Sequence, residues 1–103
     1  MKAELLYFDS CPSWLDALEN LRAAVPGDLE IRLVRVETLE QAAAERFVGS
    51  PTIRVDGRDL FPASSDDFGL ACRVYATPAG LNGAPTADMV RAALHAEPVG
   101  QGT

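Results

Sequence analysis

Residues 3–14 read Ala-Glu-Leu-Leu-Tyr-Phe-Asp-Ser-Cys-Pro-Ser-Trp, and the period of the apolar residues changes across Cys11. Residues 3–8 are mostly apolar without strict alternation, the pattern of a strand covered on both faces. From Trp14 onward the apolar residues Trp14, Leu18, Leu21 and Val25 fall at helical spacing. Cys11 therefore sits where a strand gives way to a helix, with Pro12 placed as a first-turn residue. At a helix start the unpaired N–H groups and the positive end of the macrodipole favour negative charge, and a thiolate is a negative charge. A reactive cysteine is expected at this junction.

The rest of the chain repeats the alternation of strand and helix. The first helix, residues 12–25, is stopped by Pro26-Gly27-Asp28. Residues 29–33 then alternate at period two before the phase shifts to Val34 and Val36, which suits a bulge or a strand buried on both faces. Thr38-Leu39-Glu40-Gln41 has the form of a capping box, opening a short helix whose buried stripe would be Leu39, Ala43 and Phe47. Strand, helix, strand, helix in this order implies a parallel pair joined by a crossover. After Gly49 the pattern becomes antiparallel: Thr52-Ile53-Arg54-Val55 alternates, Asp56-Gly57 is a strong hairpin signal, and residues 58–61 return. Residues 62–84 form a long loop in which only residues 70–75 have the makings of a short strand or an ordered loop core. Thr86 and its neighbours cap a last helix with Met89, Val90, Ala93 and Leu94 on its apolar side. The expected architecture is α/β, β-α-β-α-β-β-α in three layers, with a mixed four-stranded sheet and a long loop before the last helix. Residues 1–97 are read as one domain and 98–103 as a flexible tail.

Composition narrows the chemistry. Lys+Arg total 9 against 15 Asp+Glu, a net charge of -6, which argues against nucleic acid and anionic membranes as partners, since both require a basic face. No stretch is long and apolar enough to span a bilayer, the N-terminus lacks a leader pattern, and the location expected is cytoplasmic. Two cysteines, Cys11 and Cys72, are too few for a secreted disulfide scaffold of this size. With His95 the only histidine, no ligand pair shows zinc-like spacing, so neither a metal nor a cofactor is expected.

Two points in the chain carry a family resemblance. Cys11 opens the first helix, and Ser50-Pro51-Thr52 precedes the third strand. In this order of elements the chain resembles the thioredoxin-like superfamily, in which a cis-proline at the second point faces a cysteine at the first. The likeness covers nearly all of the chain except residues 62–84. It is most similar to small thioredoxin-like proteins sharing three segments: Cys-Pro-x-Trp (here Cys11-Pro12-Ser13-Trp14), Gly-Ser-Pro-Thr-Ile-Arg-Val-Asp-Gly (residues 49–57) and Cys-Arg-Val-Tyr (residues 72–75). Some of these carry the label alkylmercury lyase, and this sequence has no local motif onto which that enzyme's catalytic residues can be placed. The departure from thioredoxins is that Trp14 stands where the second cysteine of Cys-x-x-Cys would be.

The resemblance implies thiol-disulfide exchange with a protein or low-molecular-weight thiol, using Cys11 as the attacking thiolate and Cys72 as candidate resolving cysteine. Chain direction brings the loop bearing Cys72 to the Cys11 end of the sheet; sequence leaves open whether the Cα atoms come within about 7 Å. Trp14, Ser50, Pro51 and Thr52 would line the substrate site. A cis Pro51 would leave Ser50 backbone groups beside the thiol for an extended peptide or glutathione; trans is the commoner form of any X-Pro bond. Trp14 is either core packing or a shield for Cys11. Asp9 either tunes the thiol, caps the helix or faces solvent, while Arg73, in an extended segment, would point away from the face that Cys72 uses. Asp66-Asp67 reads as a solvated loop and His95 as a last-turn residue that suits the helix dipole. Two other readings stay open. Cys11 and Cys72 could bind mercury, an organomercurial or another soft metal as two thiolates, or the fold could be a redox-inactive interaction module. The oligomeric state is not legible.

Overall fold

The change of period at Cys11 is where β1 (Ala3–Tyr7) hands over to α1 (Ser13–Ala24). The structure is a computed structural model that describes residues 2–25, 27, 29–61 and 69–101, with side chains as far as His95 in the last stretch. Beyond α1 the order is β2 (Ile31–Arg35), α2 (Leu39–Ala44), β3 (Thr52–Val55), β4 (Arg58–Asp59), β5 (Tyr75–Thr77), β6 (Gly80–Asn82) and α3 (Ala87–Gln101). Among the described residues these make a four-stranded mixed sheet in the order β2-β1-β3-β4, with β5 and β6 as a separate hairpin. β1 runs parallel to β2 and antiparallel to β3, so that Leu5 is flanked by Leu33 and Ile53.

Adjacent residues of β1 serve opposite faces, as the pleat requires. Ala3 and Leu5 join Ala17 and Leu21 of α1, Ile53 and Val55 of β3, and Val90 of α3 in one core cluster. Leu6 joins Val36, Ala42 of α2 and Phe47 in another. Helices thus cover both faces of the sheet, which is why β1 reads as apolar without alternation. Burying a leucine such as Leu5 or Leu6 contributes about 2 kcal/mol. The Asp56-Gly57 turn is formed as expected, both residues having positive φ (53° and 84°), the conformation of a two-residue hairpin matched to strand twist.

β2 and α2 depart from the expected pattern. The phase change at Val34 marks no bulge, since the β1–β2 register runs without a break from Ala3↔Ile31 to Tyr7↔Arg35, and the strand packs on both faces without being fully buried on either. β2 is an edge strand in which Ile31 packs toward one cluster and Val34 toward the other, as does Val36 just past its end, while Leu33 is exposed. In α2 the buried face is Ala42, not Leu39, which is 64% exposed, nor Ala43. The helix is only six residues long, so Phe47 reaches the core from beyond a turn at Arg46 (φ 54°) and the helical spacing from Leu39 does not extend to it. The capping residue Thr38 is as expected, accepting from Gln41 N at 3.0 Å.

Within the long loop lies the β5–β6 hairpin, pairing Tyr75 with Asn82 and Thr77 with Gly80. Its turn at Pro78 and Ala79 is closed by Thr77 Oγ1 donating to Gly80 O at 2.6 Å. The α3 backbone continues through Gln101, past the point assigned to a tail, following a run of strong helix formers at Ala92, Ala93 and Leu94. His95 is therefore an exposed residue within α3 and not in its last turn. Pro26, Asp28, the Asp66-Asp67 pair and residues 102 and 103 of the tail lie outside the described residues. Among the described residues no helix is long and apolar enough to cross a membrane.

Candidate functional site

Cys11 lies one residue ahead of its expected place relative to the helix: Pro12, with helical φ and ψ (-69°, -13°), takes the N-cap position and Ser13 begins α1. Cys11 N donates to Phe8 O at 3.0 Å, folding the chain back between strand and helix, and Cys11 is only 2% exposed. It is joined to Cys72 in a disulfide with a Cα–Cα distance of 5.9 Å. The two cysteines singled out from the sequence, 61 residues apart, are thus brought together.

Ser50, Pro51 and Thr52 are buried, with Ser50 next to both cysteines of the bridge. The Ser50–Pro51 peptide bond is cis. Ser50 O is 3.7 Å from Cys11 Sγ, a van der Waals contact, since a disulfide sulfur has no proton to donate. The Ser50 backbone groups expected to await a peptide are already occupied by the chain itself. Ser50 N donates to Ala71 O at 2.8 Å and Ser50 O accepts from Arg73 N at 2.8 Å, a parallel bridge centred on Cys72. Gly49 permits this approach: its φ is +148°, and a Cβ there would stand 3.0 Å from Arg73 Cβ and 3.3 Å from Ala71 O. Ser50 Oγ is the buried side-chain polar atom without a hydrogen-bond partner among the described residues.

The segment carrying Cys72 is held by more than its sulfur. Arg73 extends away from Cys11, as the strand alternation predicts, and its Nη1 pairs with Asp59 Oδ2 at 2.9 Å while reaching Thr52 Oγ1 at 3.3 Å. Its Nη2 donates to Phe61 O, and its guanidinium lies 4.8 Å from the centre of the Tyr75 ring. Two residues on, the same face of the segment presents Tyr75, whose hydroxyl donates to Pro51 O at 2.5 Å. Burial holds the Tyr75 phenol well above the ordinary tyrosine range; the nearby Arg73 opposes this and Asp59 adds to it, so the hydroxyl keeps its proton as a donor.

Trp14 is half-buried and stacks on Tyr7, with ring centroids 4.3 Å apart, while packing against the α1 side of the core. Thr52 Oγ1 donates to Gly49 O at 2.6 Å, bracing the loop ahead of Pro51. Asp9 pairs with Arg35 at 3.0 Å, and the start of α1 has no side-chain cap. Asp59, Gly49 and Tyr75 were not singled out from sequence. The spacing of Arg73 and Tyr75, two apart in an extended segment, is the signal that would have placed both on one face. Among the described residues no group of three or more His, Cys, Asp or Glu side chains could hold a metal ion. The chain matches no family model, no curated protein and no solved structure.

Proposed function

We propose that this chain is a thioredoxin-like thiol protein that carries out thiol-disulfide exchange through the Cys11–Cys72 pair. The observation that carries the reading is the bridge itself: a cysteine at the head of a helix, beside the Ser50 carbonyl, bonded to a cysteine of a separately anchored segment. The mixed sheet with helices on both faces supports the family resemblance, and the resolving cysteine comes from the long loop in place of the helix. Cycling between disulfide and dithiol would pass two electrons to or from an external thiol or disulfide.

Turnover of a small chromogenic disulfide at the expense of glutathione tests this directly. Wild type is expected to turn over, whereas the double variant Cys11→Ser/Cys72→Ser should fall to the uncatalysed rate. Retained turnover in the double variant would sink the assignment, and two cysteines inert toward every thiol would favour an interaction module.

The same adjacency favours a second reading, in which the reduced pair binds a soft ion such as Cu(I), or a mercurial, as two thiolates. This predicts one equivalent bound to the reduced protein and none after either cysteine is replaced. Undiminished binding by Cys72→Ala would rule out a paired site.

A further inference from the structure

The two sulfurs of the bridge belong to residues in opposite surroundings. Cys11 is 2% exposed, enclosed by the turn from Phe8 and by the Ser50 carbonyl, whereas Cys72 is exposed, flanked by the exposed Ala71 and Val74. Exchange depends on which sulfur an incoming thiolate can reach, and the bond breaks faster when the departing sulfur is the better anion. Both criteria point the same way: Cys72 is accessible, and Cys11, beside the start of the twelve-residue α1, is the better placed to carry negative charge as it leaves.

Resting on the thiol-exchange reading above, we infer that Cys72 is the sulfur that exchanges with outside thiols and Cys11 the buried leaving and resolving thiol. This reverses the roles expected from the position of Cys11 alone. The incoming group that fits is a low-molecular-weight thiol or disulfide of the glutathione type. Ser50 N and O, the backbone groups that would hold an extended peptide beside the bridge, are taken by Ala71 and Arg73. Their occupancy leaves the sulfur as the point of contact.

In the reducing direction a thiolate RS− attacks Cys72 Sγ, the Cys11–Cys72 bond breaks, and its electron pair departs on Cys11 Sγ as thiolate. A second RS− attacks the sulfur of R in the mixed disulfide, releasing RSSR and leaving Cys72 as thiolate. Protonation of the two cysteines balances the protons given up by two RSH. In the oxidising direction Cys72 thiolate attacks RSSR, expelling RS−, and Cys11 thiolate then closes the bridge and expels the second RS−. Arg73 and Tyr75 hold the Cys72 segment through bonds that do not involve sulfur, so it stays within reach of Cys11 when the bridge is open.

The test is to expose oxidised wild-type protein briefly to glutathione, quench with acid and map the adduct by mass spectrometry. Glutathione is expected on Cys72 in about tenfold or greater excess over Cys11. As a second measurement, the reduced single-cysteine variants are treated with oxidised glutathione: Cys11→Ser, which keeps Cys72, should be modified about tenfold faster than Cys72→Ser. Adduct mainly on Cys11, or faster modification of Cys72→Ser, would overturn the assignment of roles while leaving thiol exchange standing. A wild-type bridge that glutathione neither opens nor modifies would overturn both. The wild-type map decides the matter even if a variant does not fold.

Discussion

Arg73 and Arg35 make the same kind of contact, a guanidinium against an aspartate at 2.9 and 3.0 Å, in unlike surroundings. The side chains of Arg35 and Asp9 are 51% and 59% exposed, so water and salt screen the pair and its contribution stays under about 1 kcal/mol. Those of Arg73 and Asp59 are 10% and 23% exposed, and removing the arginine leaves a carboxylate in a largely dry place without its counter-ion. Arg73→Ala is therefore expected to cost about 3 kcal/mol of stability, and Arg35→Ala less than about 1 kcal/mol. Urea unfolding of the two oxidised variants measures both. Equal losses would mean that the Arg73 side chain is no anchor for its segment. Arg73→Lys should fall between wild type and Arg73→Ala, because an ammonium can face Asp59 but cannot also span Thr52 Oγ1 and Phe61 O as the planar fork does.

Elements whose signal is local were the legible ones. The change from strand to helix around Cys11, the Thr38 cap and the Asp56-Gly57 turn each depend on residues within a few positions, and each forms within one residue of where its pattern places it. Which face of α2 is buried depends instead on where a six-residue helix is docked, and nothing in residues 39–44 records that Phe47 enters the core past a turn. The β5–β6 hairpin was hidden for a related reason. Its strands are three residues each, too short to show a period, and Tyr75 is buried through contacts with Pro51, Phe61 and Arg73 that lie up to 24 residues away. The site divides in the same way. Cys11 could be named from its place at a helix start, Cys72 as the remaining cysteine on a loop at the same end of the sheet, and Ser50 and Pro51 through the family resemblance. That Ser50 would already be paired with Ala71 and Arg73 could not, since it arises when one segment folds back along another.

At the scale of the whole molecule the bridge is the longest covalent constraint. It links positions 61 apart, tying the loop before α3 to the head of α1. In the chain-entropy account, closing a loop of that length removes about 4 kcal/mol of freedom from the unfolded state, a large share of the roughly 5–15 kcal/mol that separates a domain of this size from unfolding. Both core clusters are assembled without Cys72, so the reduced protein should still fold, with a melting temperature lower by roughly 15–30 °C. Linkage makes the effect reciprocal: if the disulfide favours the fold by about 4 kcal/mol, the fold favours the disulfide by about a thousandfold. Titrating the bridge with dithiothreitol in buffer and again in strong denaturant measures that factor. The ratio of reduced to oxidised protein at a given dithiothreitol concentration should rise by about three orders of magnitude on unfolding. A ratio unchanged between the two conditions would mean that folding does nothing to hold the cysteines together. Bridge and fold would then be independent, and a change in redox conditions could not alter the stability of the chain.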